Sequence, residues 1–211
     1  MSETWKDFFR QRRRELLFLV SAGLAVVALF LLVGLFYEGG GEGYIPPEYT
    51  QAREETAKMS AEIVQLGEEI NQTLLELATK DSIGDHEAAL VLAEKGRGQI
   101  ERLGKKAQKL LSALESMVSS VERVRPVSAV GVGKDAVTVG IKMVERLVVY
   151  SNLSSNLVQT IETKLGGGDV ANKDIQELIG KINEEVRFVN SLSANYKALT
   201  ERFDGLVGGG K

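Results

Sequence analysis

Cysteine is absent from this chain of 211 residues, which removes disulfides, thiolate nucleophiles and thiolate metal sites at once. Histidine occurs once, at His86, so no site that needs two imidazoles can form; the Glu-x-x-His pairs of di-iron bundles and most zinc centres are excluded with it. Its place in the first turn of a helix suits a surface residue. Proline stands only at positions 46, 47 and 126, where it can punctuate helices without interrupting them. An excess of positive charge is also missing. The first 15 residues carry five basic and three acidic side chains, a net of +2, and the remainder carries −5 against a total of −3. A mildly acidic body has no basic face with which to displace counterions from a phosphate backbone, so no nucleic-acid partner is expected.

Phosphate-loop chemistry fails on spacing. Gly96, Gly98 and Gly104 miss the dinucleotide pattern at Glu101, and Gly131-Val132-Gly133-Lys134 has Asp135 where a Ser or Thr should bind magnesium. No serine sits on a strand-turn-helix elbow, which leaves a Ser/His/Asp triad without a frame. The acidic pairs Glu54/Glu55, Glu68/Glu69 and Glu184/Glu185 are neighbours on helices, where side chains diverge by about 100°, and read as solvated faces. The chain is therefore not expected to be an enzyme, nor to hold a cofactor or a metal.

What is present is one long uncharged run. From Leu16 to Tyr37 there are 22 residues without a charge, enough at about 1.5 Å per residue to cross a hydrocarbon core of about 30 Å. Arg10, Arg12, Arg13 and Arg14 crowd its N-terminal flank, and the first basic residue beyond it is Arg53, so the run predicts a single transmembrane helix with the N-terminus in the cytoplasm. A cleaved signal peptide would need a shorter apolar core and small residues at its exit, but the exit reads Leu35-Phe36-Tyr37-Glu38. Trp5, Phe8 and Phe9 before the run, and Tyr37 and Tyr44 after it, fit interfacial anchors.

The organisation expected is a cytoplasmic segment 1–15, a transmembrane helix 16–37, a flexible linker 38–46 rich in glycine, a helical ectodomain 47–205 and a loose tail 206–211. Helix one is predicted from about Pro47 to Lys80, with Met59, Ile63, Leu66, Ile70, Thr73 or Leu74, and Leu77 as its stripe. Asp85 suits the N-cap of helix two. In that helix Ala89, Ala93, Gly96, Ile100, Leu103, Ala107, Leu110, Leu114, Met117, Val121 and Val124 keep an unbroken heptad seam, ended by Arg125-Pro126. Val127 to Val132 reads as an apolar loop. Helix three, about Lys134 to Leu165, is rich in valine, but the three-four spacing of Val137, Val144, Leu147, Val158, Ile161 and Leu165 favours helix over strand. Asp169 or Asn172 should cap helix four, whose seam is Ile175, Ile179, Ile182, Val186, Val189, Ser193, Tyr196, Thr200 and Phe203.

These features predict an all-α fold, an N-terminal transmembrane helix followed by an antiparallel four-helix bundle or coiled-coil ectodomain. In that frame Val127, Val130 and Val132 form a membrane-proximal contact loop. Ser151, Ser154 and Ser193, polar groups on buried stripes, form an inter-helix polar site. The function expected is that of a single-pass protein of the plasma (inner) membrane, whose extracytoplasmic bundle contacts another envelope protein or itself. The alternative is a sensory ectodomain that binds a small molecule and signals through a partner subunit. Its general architecture resembles the periplasmic four-helix sensor modules of chemoreceptors, although those carry a second span and a cytoplasmic signalling region.

Overall fold

The computed structural model describes residues 43–208, and these form four helices: α1 (Pro47–Ser82), α2 (His86–Val121), α3 (Val127–Leu165) and α4 (Asn172–Val207). Among the described residues there is no strand, only an isolated antiparallel bridge between Tyr44 and Arg125. The helices run up, down, up and down, each against the one before it, as a four-helix bundle. The arginine cluster and the uncharged run 16–37 lie outside the described residues. None of the described helices is long and apolar enough to cross a membrane.

Local signals account for most boundaries. Pro46 and Pro47 lead into α1, where a missing N–H costs nothing because the first turn has no intrahelical acceptor for it. The Asp85 carboxylate accepts from the Ala88 amide at 3.3 Å and so caps α2 as its sequence position predicts. The two turns at the far end each place a glycine at positive φ, Gly84 at 81° and Gly167 at 84°, where a Cβ would strain the backbone. Neither Asp169 nor Asn172 caps α4 through its side chain; the N-cap is Ala171, and the Asn172 side chain accepts from Lys164 instead.

The seam of α2 is buried at every position from Ala89 to Val121, and Val124 just beyond the helix is buried with it. It forms the spine of the main core, into which α1 contributes Ile63, Leu66, Ile70 and Leu77, and α3 contributes Val137, Val144 and Val158. Its small residues have a purpose: Thr73 of α1 and Val158 of α3 meet over Gly96, at 3.7 and 4.0 Å from where a Cβ would stand. Two smaller clusters join α4 to α3 alone, one around Ala136, Val139, Met143, Val189 and Tyr196, the other around Leu157, Ile175 and Ile182.

Three expectations need correction. The apolar segment read as a loop is the first part of α3, in which Ala129 and Val132 are buried and Val130 packs against the core. Gly133 within it serves packing: a Cβ there would lie 2.6 Å from Val121 Cγ2 and 2.9 Å from Phe203 Cε2. Second, α2 stops at Val121, and Pro126 is the N-cap of α3, not the terminator of α2. The residue before a proline favours an extended backbone, and Arg125 uses that conformation to donate to and accept from Tyr44 at 2.8 and 3.1 Å. Third, Gly43 is not a free joint. A Cβ there would overlap the Val207 carbonyl oxygen and lie 2.6 Å from Val207 Cγ1 and 2.9 Å from the Arg125 oxygen. The lead-in to α1 is thus wedged between the α2–α3 turn and the last turn of α4.

Candidate functional site

The backbones of consecutive helices approach one another along the bundle, but those of α1 and α4 nowhere come within 8 Å at their Cα atoms. That seam is bridged by long side chains near the end where α1 begins and α4 finishes. Tyr49 and Arg53 stand four residues apart on α1, and Tyr196, Thr200, Phe203 and Asp204 follow the same periodicity on α4, so each set forms one stripe. The rings of Tyr49 and Phe203 stack with centroids 5.4 Å apart. One turn further along α1, both terminal nitrogens of Arg53 donate to the Asp204 carboxylate, at 2.7 and 2.8 Å. Such a fork fixes angle as well as distance. Beneath it, Thr56 donates to the Met117 sulfur at 3.7 Å, and Ser60 and Thr200 return their hydroxyls to backbone carbonyls one turn back.

The electrostatics make this a clasp, not a reactive centre. Burial pushes the Tyr49 phenol well above its usual range; Tyr196 and Asp204 add to the effect and Arg53 opposes it. The Tyr196 phenol is raised as well, mainly by burial. Neither can supply a phenolate near neutral pH. Burial by itself would weaken the hold of the Arg53 guanidinium on its proton, but the bonds to Asp204 outweigh it and the net shift is upward. Cation and anion are committed to each other.

The residues singled out from sequence are distributed differently. Arg10, Arg12, Arg13 and Arg14 lie outside the described residues. Of Val127, Val130 and Val132, only Val127 faces outward, 70% exposed. Ser151 is buried and donates across the α2–α3 interface to the Ile100 carbonyl at 3.1 Å, in space left by Gly104, whose Cβ would stand 3.2 Å from its oxygen. Ser154 is also buried, one turn along. Ser193 lies between Val189 and Tyr196, level with Val139 and Met143, more than two turns of α3 from Ser151. The three serines do not assemble into one site.

Glu185 departs from the solvated-face reading. It is buried, its carboxylate accepts from Arg146 at 3.2 Å, and the same guanidinium lies 4.8 Å from the centre of the half-exposed Phe188 ring. His86 is half-exposed at the start of α2, with Nδ1 3.4 Å from Asp81. No group of three or more His, Asp or Glu side chains able to hold a metal occurs among the described residues. Two buried side-chain oxygens, Gln99 Oε1 and Asn190 Oδ1, have no hydrogen-bond partner.

Sequence reasoning missed the clasp because it started the α1 stripe at Met59, one to three turns too late. Tyrosine is intermediate in burial and so gives little signal at Tyr49, and arginine, as at Arg53, is seldom buried unless paired. The available signal was their spacing of four together with the matching spacing of Thr200 and Asp204 at the opposite end of the chain. No family model, curated protein or solved structure matches this chain.

Proposed function

We propose that this chain is a membrane-anchored, non-catalytic protein of the cell envelope, whose helical bundle stands outside the cytoplasm and engages another protein or a second copy of itself. The anchor is the uncharged run from Leu16 to Tyr37, oriented by Arg10, Arg12, Arg13 and Arg14. The observation that carries the binding reading is how the interior polar groups are used: Arg53 with Asp204, Arg146 with Glu185, and Ser151 with the Ile100 carbonyl all tie one helix to the next. Chemistry spent on rigidity leaves recognition to the surface. There Phe188 is 51% exposed, with Arg146 held over the ring, a pairing of aromatic and arginine common at binding hot spots.

The test is to shave intact cells with protease and to cross-link native membranes. Loss of the bundle with retention of a protected N-terminal fragment, together with a cross-linked adduct or dimer weakened by Phe188→Ala, is the expected result. A bundle that survives shaving of intact cells, or a chain recovered only as a monomer, overturns the reading.

One observation favours the sensory alternative, the unpartnered and buried Gln99 carbonyl oxygen, which a polar ligand could engage. A thermal-shift screen with amino acids, organic acids and metals tests it, with a Gln99→Leu variant that should abolish any stabilisation found.

A further inference from the structure

The wedged lead-in sets an upper limit on the distance between the bundle and whatever holds the N-terminal run. Gly43 is immobilised by Val207 and Arg125, and Tyr44 is bonded to Arg125 through both its amide and its carbonyl. Between Tyr37, the last residue of the uncharged run, and Gly43 there are six Cα steps. Fully extended they reach no further than about 22 Å. If the run spans a bilayer, the end of the bundle that carries the α2–α3 turn is confined within that distance of the interface.

That end is built differently from the opposite one. Tyr44 is 52% exposed and Val127 is 70% exposed, and the two are brought together because Tyr44 pairs with Arg125, two residues before Val127. An amphipathic ring and an apolar side chain at this height match the interfacial region of a bilayer, where aromatic residues are enriched. Two of the cations around them are committed to carboxylates. Arg123 pairs with Glu48 at 3.2 Å and Lys134 with Glu122 at 2.7 Å. Arg125 is exposed, donates to the carbonyls of Glu122 and Val124, and pairs with no carboxylate among the described residues. A cation whose remaining donors face outward beside two interfacial side chains is suited to phosphate oxygens of lipid headgroups.

We propose that this end of the bundle rests on the bilayer that holds the anchor, with Tyr44 and Val127 in the headgroup layer and Arg125 on anionic lipid, so that the bundle is a seated post and not a domain on a free tether. The proposal relies on the anchor reading above, and the experiment separates the two. Because the chain has no cysteine, a single introduced one labels a single position. Full-length Val127→Cys and Ile83→Cys proteins, the second marking the opposite end, are labelled with nitrobenzoxadiazole and reconstituted in vesicles of phosphatidylcholine alone or with three parts in ten phosphatidylglycerol. Flotation after carbonate washing reads the anchor, and quenching by doxyl-labelled lipid reads contact with the surface.

Flotation together with quenching at position 127 roughly threefold or more above that at 83, and greater in anionic vesicles, supports the proposal. Arg125→Ala in the Val127→Cys background should lower the ratio of surface-bound to free bundle roughly fivefold in anionic vesicles, with helicity unchanged. Flotation with equal, weak quenching at both positions overturns the seated post and leaves the anchor standing. A shielded probe at 127 that lipid quenchers do not reach assigns the surface to another protein chain and overturns the proposal. Equal quenching in the two lipid mixtures removes the role given to Arg125, and failure to float overturns the anchor and the seat together.

Discussion

A guanidinium with 14% of its side chain exposed and both terminal nitrogens on one carboxylate has little water to turn to if that carboxylate is lost. Asp204 is more open, at 27%, and can hydrate when left alone. The two partners are therefore unequal. Asp204→Ala should destabilise residues 43–208 by about 2–4 kcal/mol, because it takes the carboxylate away from a buried cation. Arg53→Met, which keeps most of the packing volume, should cost about half as much. Urea denaturation of the two variants measures the difference, and equal costs would contradict the asymmetry. The buried phenols make a second prediction at the same scale. Raised phenol values in the folded state mean that the folded chain keeps protons the unfolded chain has lost, so stability is intact below about pH 10, the ordinary tyrosine value, and falls as pH rises above it. Up to about 1.4 kcal/mol per pH unit is lost for each such tyrosine. Tyr49→Phe should show a shallower decline between pH 10 and 11.5 when denaturation midpoints are compared.

Two glycines at the start of α3 separate helix propensity from packing. Gly131 faces solvent with nothing within 4 Å of a Cβ, so Gly131→Ala should stabilise by about 0.5–1 kcal/mol through the unfolded chain. Gly133→Ala must displace Val121 and Phe203 and should destabilise by about 1–3 kcal/mol. Thermal melts of the pair, shifting in opposite directions, check both. The same two residues explain where element reading went astray. The α2 seam was legible throughout because every position from Ala89 to Val124 is apolar or small and serves one purpose, burial. The beginning of α3 was not, because a glycine that permits close packing and a glycine that breaks a helix are written with the same letter. The end of α2 was misplaced for a related reason: the residues between Val121 and Pro126 turn locally and Arg125 pairs with Tyr44, some 80 residues earlier in the chain, a contact no local pattern announces. Heptad spacing still gave four helices and their order, since period depends on neighbours three and four residues away.

Across the whole molecule, α4 is attached unevenly. It packs along α3 through two small clusters, and is joined to α1 near its own C-terminus through Phe203, Asp204 and Tyr49. Amide hydrogen exchange should therefore be fastest, within the helices, over the N-terminal half of α4 around Lys173 to Lys181, and slowest along the α2 seam. Protection of Ile175 to Ile182 equal to that of Leu103 to Leu114 would refute this order. The clasp illustrates why the candidate site was mostly illegible: it joins residues 151 positions apart, and only the folded chain says which arginine meets which aspartate. The serine stripe on α3 was visible as polar and buried, but its partner is a backbone carbonyl on α2, a group every residue possesses. The wedge at Gly43 has one more consequence. Because the first described residue touches Val207, next to the last, a circular permutant that links Gly208 to Gly43 by a short glycine spacer and opens at Gly167 would alter no helix and should fold with the same four rods in a new order.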